Sequence, residues 1–271
     1  MSLGPFDLSG GPFLLLYLSL LAATIIAGFI IPARMRPPGR PQSVNDVDQL
    51  AYLAGGASRF AEALVARLLA ARNMVMAGTT RFYIPARAVA GASAAESGLL
   101  GLSSPASWRD IERRLKEFTD PLERRLETAG LLMSRKEQAD IRFWATLPYL
   151  MLLMFGATKW VIGDMRDRPI GFLTILLVAT AVCAAIRWFR VDRRTRAGRE
   201  AVGDAARRSE RLKRAPVGRE IGLAVALFGT SVLVGSGLAD FHRLRSPSDG
   251  GSTGGDSGGD GGGGGGCGGC S

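Results

Sequence analysis

Three stretches of this chain are apolar for the length of a bilayer crossing, and few folds accommodate that. The first, Phe13 to Ile31, runs nineteen residues without a charge. As a helix rising about 1.5 Å per residue it covers about 28 Å, close to the hydrocarbon thickness of a membrane. The second runs from Phe143 to Gly163 and the third from Ile170 to Phe189, joined by the polar connector Asp164 to Pro169. Spans joined so closely form an antiparallel helical hairpin, because each backbone N–H and C=O in hydrocarbon must be satisfied within its own helix. Pro148 falls in the first turns of its span, where a missing N–H costs least. Lys159 sits near the end of that span, where its long stem reaches the headgroups. Cys183, inside the third block, reads as a small packing residue. The expected fold class is therefore mainly α: a polytopic membrane protein with three transmembrane helices (a fourth if 221–239 also crosses) and a small winged-helix-like cytoplasmic domain.

Charge sets an expected orientation. Residues 1–12 hold Asp7 and no Lys or Arg, whereas Arg34, Arg36 and Arg40 follow the first block. A secretory signal needs a positive region before its apolar core, so this block is expected as an uncleaved anchor with its N-terminus outside. From Arg187 to Arg219 there are twelve Lys or Arg against four acids, Asp192, Glu200, Asp204 and Glu210. That local excess carries most of the net charge of +10 and marks 190–220 as a basic cytoplasmic segment beside anionic lipid. Both counts give one topology: outside, in, out, in. The bacterial inner membrane is the expected location.

Residues 32–142 form the expected cytoplasmic domain. After a Pro-rich linker, Asn45 or Asp46 caps a helix through Leu53, and Gly55-Gly56 ends it. Ser58 caps a second, whose Phe60, Leu64, Leu68 and Ala71 form one stripe. Met74-Val75-Met76 and Arg81-Phe82-Tyr83-Ile84 read as two short strands around a turn at Gly78. Two helices and a hairpin outline half a winged helix. Ser107 caps a helix carrying Ile111, Leu115 and Phe118, and Asp120-Pro121 starts another that ends at Gly130.

A winged helix that reads DNA presents a basic face. Here 109–127 holds six bases and six acids. Mixed charge at helical spacing describes a solvated, internally paired surface, so protein docking is expected and nucleic acid is not. Residues 221–239 are uncharged for nineteen residues but rich in Gly and Ser, and two readings stay open: a fourth span, or an apolar helix lying against the protein or the bilayer surface.

The tail, 246–271, is Gly-rich low complexity and is expected to be disordered. It carries Cys267 and Cys270, a C-x-x-C pair in a glycine run with no helix to follow, so the thiol activation of a thioredoxin-like site is missing. Two thiolates can hold a soft metal with ligands from another chain, or serve as modification sites. The single histidine, His242, leaves too few ligands for a conventional zinc site. No phosphate-binding loop, G-x-S-x-G or H-E-x-x-H occurs, so neither an enzyme nor a bound cofactor is expected.

Several short stretches carry a resemblance: Pro5-Phe6-Asp7-Leu8 with Gly11-Pro12-Phe13-Leu14, Leu50 to Gly56, Arg168-Pro169-Ile170-Gly171-Phe172, Arg194-Thr195-Arg196-Ala197-Gly198, Val225 to Thr230, and the Gly-rich tail ending in cysteines. In this order the chain resembles an uncharacterised bacterial membrane-protein family, delineated chiefly by an automated domain model. The resemblance implies a span, a cytoplasmic helical domain, a helical hairpin and a Gly/Cys tail. It also implies a neighbourhood of iron-dependent enzymes that modify cysteines in ribosomally made peptides, and thus a cysteine-modifying enzyme as partner. Longer Gly-Cys repeats are typical there; this chain has two tail cysteines. The expected function is a membrane-anchored scaffold that docks a protein partner and whose tail is modified or binds metal. The alternatives are a membrane-tethered DNA-binding regulator and a transporter subunit.

Overall fold

The computed structural model describes residues 10–86, 88, 93–164, 171–214 and 216–246. They fall into two units: unit 1 takes the described residues within 1–43 and 123–203, and unit 2 those within 44–122 and 204–271.

Unit 1 is built on three long helices: α1 (Gly10–Met35), α5 (Arg135–Asp164) and α6 (Gly171–Phe189). All three are long and apolar enough to cross a membrane, with mean hydropathies of 2.5, 1.4 and 2.1 over their most apolar windows. They pack on one another through Phe13, Tyr17, Leu21, Leu152 and Leu173. Their outer faces are as apolar as their shared core: Leu15, Phe29, Met151, Met154, Phe172 and Ile175 are all exposed. A helix that is hydrophobic all round needs an apolar surrounding on every side. Inside, the Tyr17 hydroxyl meets that of Thr180 at 3.1 Å, a buried polar pair between α1 and α6.

α5 starts before its apolar block. Ser134 and Glu137 form a reciprocal box: the Glu137 carboxylate accepts the Ser134 N–H at 2.9 Å, and Ser134 Oγ accepts the Glu137 N–H at 3.3 Å. Two of the N–H groups that a helix start leaves without partners are satisfied in this way. Ser134→Ala is expected to cost about 1 kcal/mol, read as a lower melting temperature of the detergent-solubilised protein; an unchanged melt would mean that the box contributes nothing.

Unit 2 begins with α2 (Val47–Ala70), capped by the Asp46 side chain and interrupted at Gly55-Gly56. Gly56 has φ +66° and ψ −157°, a conformation open to glycine alone, so α2 is two helices joined at a kink. A hairpin follows: β1 (Val75–Ala77) and β2 (Arg81–Tyr83), antiparallel with Val75 opposite Tyr83, turning at Gly78. Phe82 points inward while Arg81 and Tyr83 point out, as strand alternation requires. After α3 (Ala94–Leu100), β3 (Ala106–Ser107) pairs with β2 and completes a three-stranded antiparallel sheet. α4 (Trp108–Thr128), α7 (Arg196–Arg208), α8 (Ile221–Phe228) and α9 (Ala239–Arg245) complete the helices. The described chain is mainly helical, and its three-stranded sheet has strands of two and three residues.

Three expectations are corrected. Asp120-Pro121 does not start a new helix: α4 runs through Pro121 to Thr128. Pro121 is exposed, so the Glu117 carbonyl that its missing N–H deprives of a partner faces water, and the interruption is tolerated. The Pro-rich linker is not wholly exposed: Arg36 and Val44 are buried, although Pro38, Pro41, Gln42 and Ser43 face solvent. Residues 221–239 are not one helix. α8 ends at Gly229, φ +88°, and eight residues cover only about 12 Å. α8 lies along α2, burying Gly222, Ala224, Val225 and Ala226.

Candidate functional site

At the ends of α1 and α6 three irregular segments are woven together, and Asp192 is their hub. It is the only acid between Asp167 and Glu200. Arg36 lies 3.4 Å from Asp192 Oδ2 and donates to the Arg194 carbonyl at 2.5 Å. Arg194 donates to Asp192 Oδ1 through its backbone N–H at 2.9 Å and its Nε at 3.1 Å, and Arg199 closes on Oδ2 at 2.9 Å. Burial by itself raises the Asp192 carboxyl. The hydrogen bonds and charge of Arg194, with the charge of Arg36, outweigh burial and hold it down to about 2. Burial also pulls the Arg36 guanidinium below its usual range, the nearby Asp192 charge opposing this.

The start of α7 is capped by the backbone of the Pro-rich stretch. Its first N–H groups have no partner within the helix. Arg196 and Ala197 donate theirs to the carbonyls of Pro37 and Pro38 at 3.1 and 2.9 Å, and Gly198 donates to Thr195 Oγ1 at 3.1 Å. The Thr195 hydroxyl itself donates toward the Gly130 carbonyl at 2.8 Å. Gly198 lies so close to the Leu131 carbonyl that a Cβ would overlap it. Arg193 adds ion pairs to Glu123 at 2.7 Å and Glu127 at 3.1 Å. This clasp ties the ends of α1, α4 and α6 to the start of α7, and its chemistry is that of a fastener.

Unit 2 has its own charged centres. Arg67 pairs with Asp48 at 3.1 Å and with Glu96, which is 4% exposed. Burial pushes the Asp48 carboxyl up, against the lowering pull of Arg67. Arg59 donates to the Val225 carbonyl at 3.3 Å, capping the last turn of α8. Arg245 reaches Glu62 and Ser58 at 3.1 Å and stacks over Trp108 at 4.2 Å. An open cleft of 590 Å³ lies between Ile84, Pro85, Leu100, Leu102, Ser97 and Ser104; among the described residues its side-chain polar groups are two hydroxyls.

Comparison with family models, curated proteins and solved structures returns no match to this chain. What the protein does must be argued from its own residues.

Cys267 and Cys270 lie outside the described residues, as do Asp7, the 165–169 connector and the Gly-rich tail. Among the described residues no group of three His, Cys, Asp or Glu is placed to hold a metal. Lys159 holds its ammonium 5.0 Å over the Phe13 ring. Cys183 is half-buried as a free thiol. His242 meets Thr230 Oγ1 at 3.1 Å. Sequence reasoning passed over the clasp, although a signal was present: one acid in a run of arginines has to become their common partner.

Proposed function

We propose that this is an integral protein of the bacterial inner membrane that crosses it three times and acts as a scaffold without catalysis of its own. One observation carries the reading: three span-length helices have apolar outer faces, and arginines gather where α1 ends, α5 begins and α6 ends. With three crossings, residues 36–134 and 190–246 fall on one side, and the arginine excess makes that side the cytoplasm. The N-terminus is then outside. Unit 2, with its α2 kink and hairpin in winged-helix-like succession, is the part that docks a protein partner. The balanced charges of α4 favour a protein over nucleic acid. Because α8 packs on α2, the tail leaves on the cytoplasmic side, where Cys267 and Cys270 meet a cysteine-modifying enzyme or bind a soft metal. The resemblance to the bacterial family with Gly/Cys tails belongs to the same reading.

Membrane-impermeant maleimide applied to sealed vesicles of each orientation, followed by intact mass, tests this directly. Labelling of Cys267 and Cys270 from the cytoplasmic face alone is the expected result, together with a mass above that of the bare sequence or retained metal. Labelling from the outer face alone would refute the three-crossing topology. A bare, metal-free tail in native membranes would refute the modification and metal roles.

A further inference from the structure

Besides the Tyr17–Thr180 pair, the polar side chains of the three-helix bundle gather towards the ends that carry the clasp. On α5, Arg142, Thr146 and Tyr149 recur at i, i+4 and i+7 and so share one face. Arg142 stands at the boundary where the polar start of α5 gives way to the apolar block from Phe143. On α6, Arg187 is two residues from the helix end at Phe189. Its guanidinium lies 5.6 Å over the Phe29 ring of α1. The Tyr149 hydroxyl of α5 presses against α1 at Gly28, where a Cβ would come within 2.7 Å of it. Arg187 therefore sits where all three helices meet.

This pocket of donors is incomplete. Nε of Arg142, Nε of Arg187 and Oγ1 of Thr146 are shut off from solvent without a hydrogen-bond partner among the described residues. Thr146 is 5% exposed. Neither arginine has an ion pair among the described residues, and Asp192, the acid at this level of the chain, is already shared by Arg36, Arg194 and Arg199. Buried polar groups are almost always satisfied, so unmet donors on facing helices near one end of the bundle point to an acceptor that comes from elsewhere. Both arginines are only partly buried, so each side chain also reaches the bundle's lateral surface. A guanidinium offers a planar fork of donors that matches phosphate. Two of them near the ends of spans stand at headgroup depth, within reach of a lipid phosphate.

We infer that Arg142, Arg187 and Thr146 form a binding site for the phosphate of one acidic phospholipid, held against the bundle at the clasp end. The inference rests on the three helices lying in a bilayer. The bound headgroup would supply the missing acceptors and offset the clustered arginine charge. That makes the site selective for anionic over zwitterionic lipid, unlike a general attraction of basic segments to the membrane surface.

The full-length protein in nanodiscs of equimolar phosphatidylcholine and phosphatidylglycerol, released into native mass spectrometry, reports which lipid stays bound. Wild type is expected to retain phosphatidylglycerol in preference to phosphatidylcholine. R142Q and R187Q should each cut that preference about tenfold, the effect of losing one charge-assisted donor group. T146V should cut it less. R207Q, at an exposed arginine paired with Asp204, should leave it unchanged. Equal retention by the R142Q/R187Q double variant, or an equal loss in R207Q, would overturn the site. Displacement of the lipid by millimolar inorganic phosphate would assign the donors to a soluble anion instead. If the glutamine variants do not fold, the R142K/R187K pair keeps charge without the fork: a weakened preference supports the site, an unchanged one overturns it. Carbonate extraction of wild-type membranes is read separately. Release there refutes the spanning reading, whereas loss of lipid preference in a carbonate-resistant protein refutes only the site.

Discussion

Replacing Asp192 with Ala is expected to destabilise unit 1 by about 3–5 kcal/mol, the usual cost of breaking a buried pair from one side. The reason is what the substitution leaves behind. Arg36 is 8% exposed, and Arg194 uses both its backbone N–H and its Nε on the same carboxylate. Alanine strands this positive charge without an acceptor, in a place where water replaces it poorly. Thermal unfolding of the detergent-solubilised protein measures the loss. A melting temperature equal to wild type would mean that the guanidiniums find other partners and that Asp192 is not the hub. The double variant Asp192→Leu with Arg36→Met should recover much of the loss, because an apolar replacement of a buried pair is often neutral. Acid makes the same point without mutation. A carboxylate held near 2, against an ordinary value of 3.8, stabilises the fold fully above about pH 4 and loses that contribution as pH falls towards 2. The size is about 2 kcal/mol. D192N should remove this part of the acid dependence while leaving the rest.

The elements that sequence reasoning reaches are those whose cause is local. Asp46 caps α2 because its carboxylate reaches the Asp48 N–H two residues away, at 3.1 Å. Ser107 and Asp110 close a capping box at α4 through the Ser107 N–H at 3.0 Å. Gly56 breaks α2 because its own φ demands it, and Gly78 turns the hairpin for the same reason. The three long helices were legible because twenty apolar residues have few other uses. The clasp was not, because its bonds join residues up to 159 positions apart, Arg196 to Pro37 (196 − 37), and of the partners only Asp192, alone in a run of arginines, advertises itself. Pro37 and Pro38 read as a linker until their carbonyls are seen receiving the first N–H groups of α7. Pro121 reads as a helix start, since the sequence does not show that the Glu117 carbonyl it deprives of a partner would be left to solvent. The glycines of 221–239 fit a close-packed span as well as a short helix, and the decision lay in Arg59. Its guanidinium caps α8 at the Val225 carbonyl, a contact no periodicity contains.

Replacing Phe241 with Ala is expected to cost unit 2 about 3–5 kcal/mol, the range for deleting a fully buried aromatic ring. Phe241 is 0% exposed and sits in a three-ring cluster, edge-on to Phe82 at 6.2 Å and 6.0 Å from Trp108. Its helix, α9, has seven residues, too few to persist in water without docking. Beside the His242–Thr230 contact, two contacts hold it most firmly: the ring of Phe241 in the core, and Arg245 between Glu62, Ser58 and the Trp108 face. The second depends on the first, since a frayed α9 cannot present Arg245 in one position. F241A should therefore lower the melting temperature and also open Arg243 and Arg245 to trypsin, releasing the 246–271 tail at protease levels that leave wild type intact. F241L, which keeps most of the apolar volume, should lose far less. Arg245→Ala removes its own cleavage site and should open only the bond after Arg243, with a smaller loss of stability, because the ring cluster survives it. Equal trypsin resistance in F241A and wild type would mean that α9 is held by something other than these rings. If the prediction stands, the point at which the chain leaves α9 is fixed by the core of unit 2.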